Sequence, residues 1–204
     1  MKSQKLLLFA CRLAVVAAFV SVITLPLAGQ DRDWHQLRGT YFLTGTTTCL
    51  VAAPGAGFNA NLTPTGGVSL QSSSVQGTLK LADGSGTGQF QEFAITHPPA
   101  TSAGASSNEN MALFTYTIAD DGTLTVTFTS VSGTVLTGPS AGATFTVNPP
   151  PLSGRVARDG GAILLSSIEP TVETLHITGG PSFQRICYRT RVQIRVHRDE
   201  HDED

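Results

Sequence analysis

After residue 38 the chain alternates apolar and polar residues with a period of two, and no window has the apolar spacing of an amphipathic helix. The clearest segment is ALFTYTIADDGTLTVTF, residues 112–128. Its apolar side chains occupy every second position up to Ile118 and again from Leu124 onward. This pattern predicts two strands joined by a turn at 120–122, with one face in a core and the other in water. The alternation therefore indicates an all-β protein.

Turn residues divide the rest of the chain into further strands. Asp-Gly pairs begin at residues 83, 121 and 159, an interval of 38 each time, and predict similar hairpins in GTLKLADGSGTGQF and LSGRVARDGGAILLS. Segments 52–67 and 97–110 are predicted as long loops. About eight to ten antiparallel strands with short connections form either an up-and-down (meander) barrel or a β-sandwich. The other predicted strands are 39–50, 67–73, 87–95, 143–147, 172–178 and 183–196.

The N-terminal segment has the layout of a secretory signal peptide. Three basic residues precede an uncharged apolar run over 13–27 that ends in a proline and small residues. Cleavage near residue 29 is the favoured interpretation, and an uncleaved membrane anchor is the alternative. We therefore predict a signal peptide at 1–29, a single barrel domain at 30–196 and a charged disordered tail at 197–204. The protein is expected to be secreted or periplasmic, with no membrane span after cleavage.

Two cysteines, Cys49 and Cys187, would remain after cleavage. An even pair in an oxidising compartment predicts a disulfide, with two unpaired buried thiols as the alternative. A bridge requires Cα atoms within about 7 Å, so the first and last predicted strands would be neighbours. That arrangement favours a closed barrel over a sandwich with facing terminal strands. No CxxC or Cys/His spacing indicates a metal site or thiol catalysis, so no metal or other cofactor is predicted.

Composition narrows the class of partner. Charged residues make up 14% of the chain, against about 25% in ordinary soluble proteins, and Thr, Ser and Gly fill the difference. With a formal net charge of −2, nothing steers the protein towards nucleic acid. The oligomeric state is left open.

The two ends of the predicted barrel resemble the calycin group, which includes the lipocalins. Lipocalins begin their first strand with G-x-W and carry an arginine near the end of the last strand that packs over the tryptophan. Here Gly39-Thr40-Tyr41 stands at the corresponding place, Trp34 lies five residues before the glycine, and Arg189 or Arg195 could supply the arginine. The resemblance implies an apolar interior that binds a small hydrophobic molecule.

Strand parity also places a set of apolar residues on the inward faces. They could line a ligand cavity, which an eight-stranded barrel keeps small, or they could fill a solid core, which is the favoured interpretation. Phe114, Tyr116, Phe128 and Phe145 are the candidate ligand contacts. The remaining members of the set are Leu124, Val126, Ile163 and Leu165.

One acidic residue is a candidate for interior chemistry. Glu173 shares the parity of Leu175 and Ile177, so it could point inward and bind a polar ligand group or act as a general acid. Exposure at a strand end is the favoured interpretation. No GxSxG or other nucleophile motif accompanies it, so no catalytic residue is assigned.

The last predicted strand carries a stripe of arginines. Arg185, Arg189, Arg191 and Arg195 share a face with Cys187 and could contact an anion or a partner. The favoured interpretation is a solvated outer face whose charges discourage edge pairing. If the cysteine face instead points inward, one or two of these arginines would be buried with a partner.

Three functions remain open on these grounds. The first is a secreted, non-enzymatic barrel that binds a small apolar ligand and so needs an interior cavity. The second is a surface interaction or adhesion module, with a filled interior and exposed apolar patches on its loops. The third is an isomerase-like or cyclase-like enzyme, which needs at least two convergent polar groups inside.

Overall fold

A computed structural model of the protein describes residues 37–98 and 103–196. The predicted signal peptide, Trp34 and the predicted tail lie outside this range. The secondary-structure elements of the described residues are all β-strands. No helix long and apolar enough to cross a membrane is found among these residues. The strands are β1 (Gly39–Ala52), β2 (Val68–Ala82), β3 (Ser85–Thr96), β4 (Gly104–Ile118), β5 (Thr123–Thr137), β6 (Thr144–Val147), β7 (Leu152–Val156), β8 (Ala162–Ser167), β9 (Val172–Ile177) and β10 (Ser182–Arg195).

All strands belong to one antiparallel meander sheet, and β10 returns to pair with β1. The ring has eight places, because β6 and β7 pair with successive parts of β5, and β9 and β8 with successive parts of β10. Prolines at 149–151 separate β6 from β7, and Pro170 lies between β8 and β9, as expected for a residue that cannot donate to the ladder. The predicted up-and-down barrel is confirmed, and the alternative sandwich is wrong.

The three Asp-Gly turns lie together at one end of the barrel, which we call the closed end. Gly84, Gly122 and Gly160 have φ values of 81°, 81° and 67°, in the left-handed region that glycine adopts without steric cost. They connect β2 to β3, β4 to β5 and β7 to β8. The other hairpin connections, among them the long segment between β1 and β2, lie at the opposite end, which we call the loop end.

Apolar side chains fill the closed end. The Tyr116 hydroxyl donates to the carbonyl of Leu37 at 2.5 Å, and the Tyr41 hydroxyl donates to the carbonyl of Gly160 at 2.9 Å, so both tyrosines fasten chain segments across this end. Gly86 makes room for the core, because a Cβ there would lie 2.4 Å from the Phe114 ring. The largest fully buried side chains of the barrel are Tyr41, Leu124, Leu152, Ile163 and Cys49.

Two strands are longer than the sequence predicts. β2 is continuous from Val68 to Ala82, and β4 begins at Gly104, whereas 97–110 was predicted as a loop. Residues Ser106, Asn108 and Asn110 of β4 carry polar side chains on the inward face. Their polarity hid the strand pattern, because the interior itself is polar at this level of the barrel.

Candidate functional site

The barrel interior contains a cavity of about 210 Å³. It extends from the apolar closed end to the loop end, where Thr96, Ser106 and Pro139 contribute to its wall. The interior is therefore not the uniformly solid core that the sequence favoured. Apolar side chains form the wall towards the closed end and include Leu43, Leu79, Ala112, Val131, Leu152 and Leu165.

The predicted aromatic ligand contacts all lie on this wall. Phe114, Tyr116, Phe128 and Phe145 line the cavity. The rings of Phe114 and Phe128 meet edge to face, with centroids 6.3 Å apart and an interplanar angle of 68°. Such a pair supplies a rigid apolar surface at low entropic cost.

Glu173, the fifth predicted ligand residue, is buried beside the cavity and is not part of its wall. Its Oε1 accepts hydrogen bonds from Arg185 Nε, at 2.6 Å, and from Arg189 Nη2. The Sγ atom of Cys187 lies 3.3 Å from the same oxygen. The predicted strand-end exposure is wrong, because β9 pairs with β10 here and sets Glu173 directly opposite Arg185.

The arginine stripe faces inward over most of its length. Cys49 and Cys187 are both buried and form a disulfide, so the cysteine face of β10 points into the barrel. Strand alternation then turns Arg185, Arg189 and Arg191 towards the cavity, whose wall they share. The predicted solvated outer face is wrong for these three. Arg195 remains exposed, directly opposite Tyr41 in the pairing of β1 with β10.

Burial changes the acid–base properties of two of these guanidinium groups. Loss of solvent lowers the pKa of Arg189, while the adjacent Glu173 carboxylate acts in the opposite direction. Loss of solvent also lowers the pKa of Arg191 to about 10. Arg191 therefore stays cationic at neutral pH and brings a positive charge to the cavity wall.

Sequence reasoning missed the polar part of the wall. Glu92 lines the cavity and accepts a hydrogen bond from the Ser73 hydroxyl at 2.5 Å. Asn110 and Gln193 also line it and are almost completely buried. The parity of β4 offered a signal, because Asn110 is in phase with Ala112 and Phe114.

Residues 37–98 and 103–196 contain no group of three or more His, Cys, Asp or Glu side chains arranged to hold a metal ion. No protein-family model matches the chain, and neither a curated protein nor a solved structure is significantly similar to it. The fold and the site define a class of protein, an antiparallel barrel closed by a disulfide around a partly polar cavity. The resemblance to lipocalins stays a prediction.

Proposed function

We propose that the protein is exported and acts without catalysis, by binding a small hydrophobic molecule inside the barrel. The cavity carries this proposal. Its volume of about 210 Å³ compares with roughly 10–15 Å³ for a single water molecule. A largely apolar cavity with a few polar groups is the usual form of a small-molecule site.

A second candidate is catalysis, and one observation favours it. Glu92, Arg189 and Arg191 converge on the same cavity, and an interior active site requires at least two such polar groups. Against it, Glu173 is absent from the wall, and its Oε1 is occupied by two guanidinium groups. Binding needs fewer assumptions, since it uses the cavity alone.

A third candidate is an interaction module. Large apolar side chains are exposed on the outer faces of the strands, among them Phe42, Leu164 and Ile194. Most of the exposed apolar side chains lie on strands, with Ile168 on the connection between β8 and β9 as an exception, whereas an adhesion module of the kind expected from the sequence would carry them on loops. A partner surface therefore ranks below ligand binding.

The binding proposal is tested with the neutral apolar dye N-phenylnaphthylamine and a matched pair of variants. Val135 lines the cavity, whereas the next residue, Leu136, is 47% exposed on the outer face. Val135→Trp would fill the cavity, and Leu136→Trp adds the same side chain outside. We expect the wild type and Leu136→Trp to bind the dye, and folded Val135→Trp to bind it at least tenfold more weakly.

Equal dye binding by both variants would place the dye outside the barrel and contradict the proposal. Native mass spectrometry of the protein from its own exported compartment supplies an independent test. A co-purifying mass that is lost on denaturation supports a carrier, and removal of residues 1–29 supports export. If the wild type carries no such mass and binds no dye, the interaction module becomes the better proposal.

A further inference from the structure

The cavity has a distinct polar region on its wall, which we call the polar chamber. It is built by β3, β4 and β10. Relative exposures of 3% for Asn110, 5% for Arg189 and 4% for Gln193 show that its side chains are withdrawn from bulk water. The polar chamber comprises Glu92, Asn108, Asn110, Arg189, Arg191 and Gln193.

Positive charge exceeds negative charge in and behind this chamber. Arg185, Arg189 and Arg191 provide three guanidinium groups, and Glu92 and Glu173 provide two carboxylates. Glu173 is committed to Arg185 and Arg189 through its Oε1. One positive charge is therefore left without a counter-charge among these interior groups.

Arg191 is the buried cation that makes no salt bridge among the described residues, and the Glu92 carboxylate acts on it only from beyond contact distance. Its guanidinium donates to the carbonyls of Thr46 and Thr190, at 2.7 and 2.8 Å, and to the hydroxyl of Thr47 at 2.9 Å. All of these acceptors are neutral, and within residues 37–98 and 103–196 no acidic oxygen lies within salt-bridge distance of it. The hydrogen bonds fix the guanidinium in place, and its charge remains available to an anion.

Two donors of the polar chamber have no acceptor. Arg189 Nη1 and Asn110 Nδ2 are buried and lack a hydrogen-bond partner among the described residues, and both residues contribute to the cavity wall. A buried donor without a partner is destabilising, and native proteins seldom leave one so. Glu173 Oε2 also lacks a partner there, but Glu173 lies outside the cavity wall. Both unpartnered groups on the wall are donors, so they call for an acceptor.

We propose that the barrel binds an amphipathic carboxylic acid as its anion, with the carboxylate in the polar chamber and the apolar body towards Phe114 and Phe128. A carboxylate supplies the acceptors that Arg189 Nη1 and Asn110 Nδ2 lack. Its single negative charge balances the guanidinium of Arg191. This inference rests on the proposed binding function and specifies the class of ligand.

The test compares octanoate, octanol and octylammonium, which share an alkyl chain and differ in the charge of the head group. Isothermal titration at neutral pH and moderate salt measures their affinity for the wild-type protein. We expect octanoate to bind roughly tenfold to hundredfold more tightly than octanol, because hydrogen bonds to charged groups are the stronger ones. Octylammonium should bind most weakly, because it adds a cation to a chamber that is already positive.

Arg191→Gln removes the unbalanced charge, and Arg158→Gln is the matched control on the exposed segment between β7 and β8. We expect Arg191→Gln to lose most of the preference for octanoate over octanol and to keep its affinity for octanol. Arg158→Gln should retain the wild-type preference. Circular dichroism checks that each variant is folded, and the wild-type comparison stands by itself if Arg191→Gln does not fold.

The possible failures are distinguishable. If octanol binds the wild type as tightly as octanoate, or octylammonium binds best, the carboxylate inference is overturned while the binding function stands. A loss of affinity for both ligands in folded Arg191→Gln would also overturn it, because Arg191 would then have only a structural role. If none of the three compounds binds the wild type and the neutral dye also fails, the proposed binding function itself is wrong.

Discussion

Cys49 lies directly opposite Cys187 in the pairing of β1 with β10, and their Cα atoms are 4.1 Å apart. The bridge joins residues 138 positions apart in the sequence. It crosses the seam where the first and last strands close the ring, towards its loop end. Cys49 thus fastens the seam at which the pairing of β1 with β10 leaves the sheet without open edges.

Replacing both cysteines by serine should weaken the barrel without changing its topology. β1 and β10 remain paired from Tyr41 to Val51, so the seam retains its backbone hydrogen bonds. Removing a native disulfide from a small secreted domain typically costs about 2–5 kcal/mol. We expect the free energy of unfolding, measured by guanidinium denaturation, to fall by about that amount.

Reduction of the wild type under denaturing conditions provides the control, because it opens the bridge without changing the sequence. Reduced wild type and the double serine variant should unfold at similar denaturant concentrations. Unchanged stability in both would mean that backbone pairing alone closes the seam.

Much of this barrel follows from strand periodicity and turn chemistry. The Asp-Gly turns at 83, 121 and 159 were predicted, and each connects the two strands of a hairpin at the closed end of the barrel. The pairing of Cys49 with Cys187 was predicted because an even number of cysteines remains in an oxidising compartment. This pairing favoured the barrel over the sandwich. These features are local or are tied to a covalent constraint, so a single sequence reveals them.

The polar chamber could not be predicted from the sequence, because the sequence does not show which face of a strand points inward. β1 alternates apolar and polar residues ambiguously, with Tyr41 and Leu43 on one face and Phe42 and Leu50 on the other. The arginines of β10 were therefore assigned to solvent. The disulfide sets the orientation in the folded barrel, and Glu173 offsets the cost of the guanidinium groups buried beside it.

Glu173→Leu should destabilise the barrel strongly. It would leave Arg185 and Arg189, which have side-chain exposures of 14% and 6%, without their carboxylate. Removing one partner of a buried ion pair costs about 3–5 kcal/mol. Guanidinium denaturation of Glu173→Leu should show a loss of this size.

Glu169→Leu is the matched control, because Glu169 is exposed on the neighbouring segment. It should change the free energy of unfolding by no more than about 0.5 kcal/mol. The double variant Glu173→Leu, Arg189→Leu should lose less than the two single variants together, since it removes charges of both signs. Additive losses would contradict a direct interaction between Glu173 and Arg189.

Tyr41→Phe should make stability less sensitive to alkali. Burial raises the pKa of Tyr41 above its ordinary value of 10.0, with smaller effects from neighbouring groups, including Arg195 in the opposite direction. As the pH rises beyond 10.0, the unfolded chain therefore loses this proton before the folded state does. In that range the folded state binds more protons than the unfolded chain. The contribution of the neutral hydroxyl is complete below that pH and is lost as the pH rises through the folded-state pKa.

The measurement is the difference in unfolding free energy between the wild type and Tyr41→Phe at several pH values. At neutral pH the variant should be less stable by about 1 kcal/mol, because it lacks the hydrogen bond to the Gly160 carbonyl. This difference should shrink above pH 10.0. A difference that is constant or grows with pH would show that the Tyr41 hydroxyl is not the titrating group.

Asn110→Leu should raise the stability of the ligand-free protein and reduce its preference for octanoate over octanol. Asn110 Nδ2 is buried without a partner among the described residues, and an unsatisfied buried donor costs about 1–3 kcal/mol. An apolar side chain of similar size removes that cost, so the ligand-free variant should unfold at a higher denaturant concentration than the wild type. It should also bind octanoate more weakly relative to octanol, because the carboxylate loses a donor.

Met111→Leu, at the next and outward-facing position of β4, is the control and should change neither property. A loss of stability in Asn110→Leu would mean that Asn110 supports the fold, and that its free donor is not reserved for a ligand.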